Sequence, residues 1–256
     1  MTSTASLEGV KKVVYFPFRG KGWGIKLLVG SALNLANFII PIVPLVPIYG
    51  YAGQIAKRVI LQDEDPEMPE WADWGLFFSD GIKLLGASAL YSLPGILTLV
   101  AGYMTMFAGN FAFMFDPRFY TAPETMGPEF VLGGMAAMFG GMLVIMIGFL
   151  LLAVAGLFMP PALGHLIAKG EFGAAFRVKE WWPILKANFS GFLLALVLQY
   201  GISMALIWVA YAFYFTVVLC FLMPFALVVA AFLINVIHLS LIAVTYRDGV
   251  RKLAEM

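Results

Sequence analysis

The 256-residue chain is 62% hydrophobic and only 12% charged, with a mean hydropathy of +0.91, far from the roughly half-apolar, quarter-charged balance of soluble proteins. That composition excludes a soluble globular domain and predicts a polytopic membrane protein. A net charge of +1 leaves no field to recruit nucleic acid, and the single cysteine, Cys220, permits no disulfide within the chain.

The first 24 residues carry Lys11, Lys12, Arg19, Lys21 and Trp23. They are expected to form an interfacial arm whose cations meet lipid headgroups. The apolar stretch that follows lacks a small-residue cleavage site and runs too long for a signal peptide, so it is expected to be an uncleaved membrane segment. A crossing helix needs about 20 apolar residues, and charge-free intervals of that size lie at Lys26 to Lys57, Lys83 to Asp116, Glu129 to His165 and Lys186 to Arg247. The last is long enough for two passes, with a turn expected at Tyr211, Phe213, Tyr214 and Phe215, because tyrosine favours the interface.

The first interval contains Pro41, Pro44 and Pro47, which break a continuous helix. Two arms of about 16 residues, about 24 Å each, are expected there. They form either a thin two-pass hairpin or a re-entrant pair that stops short of the far side. Lys and Arg collect in the arm, in residues 57–83, in residues 160–190 and in the tail, whereas residues 109–129 hold only Arg118. The cationic regions are therefore expected to be cytoplasmic and residues 109–129 external. This predicts a single membrane domain, an all-α bundle of about six segments with cytoplasmic termini, five passes being the alternative.

Residues 57–83 form a polar island holding seven of the fifteen acidic residues. At 100° per residue, Trp71, Trp74, Phe78, Ile82 and Leu85 fall in one stripe opposite Asp73, Asp80 and Lys83, which predicts an in-plane amphipathic helix feeding the next span. The acids Asp63, Glu64, Asp65, Glu67, Asp73 and Asp80 are the candidate partner-facing residues; solvation of that face is the alternative. Residues 160–190 are a second such segment, where Glu180-Trp181 repeats Glu70-Trp71 and Gly191 repeats Gly81 at the same spacing, a hint of the internal repeats seen in transporters.

On Pro69, Trp71, Asp73, Trp74, Asp80 and Gly81, preceded by Tyr49, Gly53, Arg58 and Ile60, the chain resembles an uncharacterised bacterial and archaeal family of polytopic membrane proteins, domain-of-unknown-function family 4013. Gly170, Phe172, Ala175, Phe176 and Asn188 extend the resemblance, and Phe192 stands where a tyrosine is expected. It implies the membrane topology and no chemistry.

Intramembrane polar residues are where function is first sought. Asn235 and His238, one turn apart on the last span, could contact a hydrophobic cofactor such as a quinone or pigment, or could bridge helices. Asn34, Asn37 and Gln54 flank the proline break and could line a solute path, or could satisfy backbone groups freed there. His165 is expected at the inner interface, where it caps a helix end or binds a ligand. Two distant histidines make no zinc site, no familiar catalytic signature occurs, and Glu124 and Glu129 are expected to be solvated loop acids.

The leading expectation is a non-enzymatic, cofactor-free protein of the plasma membrane: a scaffold or accessory subunit that meets lipid and a membrane or cytoplasmic protein partner. A small transporter or channel built on the proline-broken hairpin is the alternative, and a quinone- or pigment-binding subunit a third.

Overall fold

The computed structural model describes residues 7–122, 126–212 and 220–256, apart from the side chains of Leu7, Ala112, Phe113 and Phe119. Glu124, Phe213, Tyr214 and Phe215 lie outside the described residues, and with them most of the expected outer turn. The described residues form helices and no strand: α1 (Leu7–Tyr15), α2 (Trp23–Ala36), α3 (Leu45–Leu61), α4 (Trp74–Phe115), α5 (Pro117–Thr121), α6 (Pro128–Lys169), α7 (Val178–Ala187), α8 (Phe189–Ala212) and α9 (Met223–Ala254). Four helical stretches are long and apolar enough to cross a bilayer, Trp74–Phe111, Pro128–Lys169, Phe189–Ala212 and Cys220–Ala254. The proline break separates 14 residues of α2 from 17 of α3, about 21 and 26 Å of helix.

The chain divides into two compact units, Met1–Ser88 with Leu157–Met256, and Ala89–Gly156. The first is organised around α9, which buries a face running from Val228 through Phe232, Val236 and Ser240 to Gly249. Helices α2, α3, α7 and α8 all pack on it. The Phe232 ring fills the space where a Cβ of Gly30 would stand, and the Asn34 amide donates to the Val228 carbonyl at 3.4 Å. Moving four residues forward on α2 moves four back on α9, so the two run antiparallel.

Helices α3 and α4 touch backbone to backbone. A Cβ at Gly50 would overlap the Phe77 carbonyl, and one at Gly81 would overlap the Val46 carbonyl. This contact sets which face of α4 packs against the protein. The buried face of α4 is Phe77, Gly81 and Leu84, while Trp74, Phe78 and Ile82 are exposed, because only the glycine-bearing face lets the axes approach so closely. Trp71 belongs to the turn before α4, where it stacks on Tyr51 with centroids 4.0 Å apart.

In the second unit, α4 and α6 pair through glycines spaced by seven. Gly95, Gly102 and Gly109 meet Gly148, Gly141 and Gly134 in antiparallel order. The period of seven keeps one seam facing the partner helix, and small residues let dispersion contacts form without a hydrophobic driving force.

Candidate functional site

Polar side chains gather at the C-terminal end of α9. Tyr246 is buried there, its ring over Gly164 of α6. Its hydroxyl lies 2.7 Å from Nδ1 of buried His165, and Nε2 of His165 lies 2.8 Å from Glu180 on α7. A carboxylate only accepts, so in a neutral His165 Nε2–H donates to Glu180 and the Tyr246 O–H donates to Nδ1. The chain of bonds ties α6, α7 and α9 together through one imidazole. The His165 bond holds the Glu180 carboxyl below the ordinary Glu range against the opposing effect of burial, with help from Arg177. Arg177 in turn reaches Glu171 at 2.6 Å.

The same end of α9 is bound on two other sides. The Asn188 amide donates to the Thr245 carbonyl at 3.0 Å and its oxygen accepts from Lys252 at 2.7 Å. Asp63, in the left-handed region at φ +60°, accepts from Arg251 and stands 3.2 Å from the buried guanidinium of Arg247. Aspartate tolerates that backbone better than most residues. Helix α6, through His165, and the connections after α3 and after α7, through Asp63 and Asn188, are therefore fastened to the last turns of α9.

The family described as Protein of unknown function (DUF4013) matches residues 35–215. The chain belongs to this family. The match is more than half of the sequence and runs from the end of α2 beyond α8, so the α9 helix that organises the first unit lies C-terminal to it. No curated protein and no solved structure matches the chain. With its four long apolar helices, this DUF4013 member is a multi-pass integral membrane protein.

The residues singled out in this DUF4013 chain fall in separate places. Asn34 points to α9, Gln54 donates to Asp80 at 2.6 Å, and the Asn37 oxygen accepts the Ile42 N–H at 2.7 Å. The three share no common site. Asn235 spends its amide on the Ala231 carbonyl of its own helix, and half-buried His238 has no hydrogen-bond partner among the described residues. Of the candidate partner-facing acids, Asp63 is held by Arg247 and Arg251, Asp65 by Lys12 at 2.7 Å, and Asp80 by Gln54 and Lys83. Glu64, Glu67 and Asp73 are exposed and have no ion pair among the described residues.

The island is thus folded onto its own chain, which its count of acids alone did not reveal. Glu70 pairs with buried Lys26 at 2.9 Å, and the Trp71 indole donates to the Lys26 carbonyl at 3.0 Å. The polar end of α9 was missed for a related reason. His165, Glu180, Asn188 and Tyr246 are far apart in sequence, and the one available sign was the run Tyr246-Arg247-Asp248 ending an apolar span. In the loop after α4, Arg118 grips Asp116 through two nitrogens at 3.0 and 2.7 Å and holds its carboxyl below the usual range. Glu129 opens α6 in its first turn, where a carboxylate favours the positive end of the helix dipole.

Proposed function

We propose that the protein is a non-enzymatic accessory or scaffold subunit of a complex in the plasma membrane. Helices α4, α6, α8 and α9 cross the bilayer, the α2–α3 hairpin completes about six membrane segments, and both termini are cytoplasmic. The distribution of Lys and Arg supports that orientation, since the loop between α4 and α6 carries Arg118 as its single cation.

The support for a subunit role comes from α6. Only 6% of its most apolar stretch is buried, and Gly133 and Gly140 stand in open space, one heptad apart, beside the seam that faces α4. Small residues in membrane helices mark helix contacts, because they let a second backbone approach. Exposed Glu64, Glu67 and Asp73 offer the same partner a polar contact on the cytoplasmic side. By contrast, Asn34, Asn37 and Gln54 each hydrogen-bond within the protein, so they lend a solute path less support.

The test is what accompanies the full-length chain when it is extracted in mild detergent. A stoichiometric membrane partner is expected for wild type and is lost in Gly140→Leu. A chain that purifies alone, and that moves solutes when reconstituted, would replace this proposal with the transporter. A second possibility keeps unpartnered His238 as the contact for a quinone or pigment, and an absorption spectrum and lipid extract of the purified protein decide it.

A further inference from the structure

We propose that the turn between α2 and α3 ends inside the bilayer, against lipid acyl chains, and does not emerge into water on the far side. The proposal builds on the chain being a membrane protein and is independent of whether α6 has a partner. The support is a complete account of the backbone donors in the turn. Of the eleven positions from Asn37 to Pro47, three are proline and have no N–H. The other eight N–H groups all find acceptors within the hairpin: Asn37 on Leu33 and Asn34, Phe38 on Leu35, Ile39 and Ile40 on Ala36, Ile42 on the Asn37 side chain, Val43 on Pro41, Leu45 on Ile42 and Val46 on Val43.

An ordinary surface turn leaves such donors to water. In hydrocarbon an unmet donor costs several kcal/mol, so closure of the set is what a lipid-immersed turn requires. The side chains agree with the backbone. Phe38 is 76% exposed, Ile39 83% and Ile42 63%, and no charged residue occurs between Lys26 and Lys57. The turn after α4 has the opposite chemistry, with Asp116 and Arg118 clasped at its start.

The dimensions also limit the hairpin. Lys26 pairs with Glu70, whose side chain is 76% exposed, so the level of Lys26 is wet. From Lys26 to Asn37 is eleven residues of α2, about 17 Å, and from Lys57 back to Leu45 is twelve residues of α3, about 18 Å. The hydrocarbon core is about 30 Å thick. Both arms end well short of the far side. Ile42 adopts φ +73°, an uncommon conformation for a β-branched residue, and the Asn37 side chain holds its N–H in place there.

The experiment places single cysteines at Ile39, Ile40 or Val43 in a full-length Cys220→Ser background, with Glu64→Cys as a water-exposed reference. Sealed vesicles are treated from each side with a membrane-impermeant maleimide. The same variants are then labelled with a bimane in detergent and reconstituted into phosphatidylcholine brominated at mid-chain. The expected result is no maleimide reaction at the turn from either side, full reaction after solubilisation, and strong quenching by the brominated chains. Glu64→Cys reacts from one side and is not quenched. Maleimide reaction at the turn from the far side overturns the proposal in favour of a two-pass hairpin. A turn that is neither labelled nor quenched overturns it in favour of a covering protein.

Discussion

Gly102 of α4 and Gly141 of α6 meet backbone to backbone: a Cβ on the first would lie 2.9 Å from the Gly141 carbonyl oxygen, and one on the second 2.8 Å from the Gly102 carbonyl oxygen. Neither neighbour can yield, because both are main chain. Gly102→Val or Gly141→Val is therefore expected to force the helices apart and cost about 1–3 kcal/mol, the usual range for overpacking. Gly133→Ala, in open space, is expected to leave stability unchanged. Reversible unfolding of the purified protein in mixed micelles measures both, and an equal loss for the two substitutions would contradict the seam.

His165 is the shared partner of Tyr246 and Glu180. His165→Ala removes the acceptor of a buried hydroxyl, and a loss of about 1–3 kcal/mol is expected from the unmet donor. His165→Gln, which can still meet one neighbour, is expected to retain part of that stability. Thermal melts of the two variants in one detergent provide the comparison.

The same cluster gives stability a direction with pH. Glu180 has a lower pKa folded than unfolded, held down first by the His165 hydrogen bond, and an unperturbed Glu titrates at about 4.3. A depressed carboxylate stabilises the fold fully above its unfolded pKa and loses that contribution as pH falls through its folded pKa. Wild type is thus expected to exceed Glu180→Gln in stability at neutral pH, with the gap closing below about pH 4. A gap that widens on acidification would show that the bond does not favour the carboxylate.

Asp63 carries two demands at once, a left-handed backbone and a charge for Arg247 and Arg251. Asp63→Asn keeps the backbone preference and one acceptor, so it is expected to cost less than Asp63→Ala. For the alanine about 1 kcal/mol is expected, discounted because Asp63 is partly exposed and surface pairs are weak. Denaturant midpoints of the two variants decide the order.

How much of this was legible in the sequence depends on whether the cause was local. The proline break was, because Pro41, Pro44 and Pro47 act on their own backbone wherever the hairpin packs. The four long apolar helices were visible for the same reason. The face that α4 buries was not. Periodicity marked the apolar stripe of Trp74, Phe78 and Ile82, which is exposed, but gave no sign that the close approach at Gly50 and Gly81 turns Phe77 and Leu84 inward. The acidic island was visible as charge, but its pairing depends on cations from α1, α2 and α9, some nearly 190 positions away. Abundant glycine announced close helix packing, whereas the register Gly95, Gly102, Gly109 becomes meaningful only once α6 lies against it.

The most direct test of the accessory-subunit proposal is the mass and composition of the particle when the chain is extracted together with its own lipid in a polymer nanodisc. The account predicts a particle holding the 28.0 kDa chain and a second membrane protein in fixed ratio, with the second component lost in Gly140→Leu. A particle containing this chain alone, unchanged by that substitution, would contradict it.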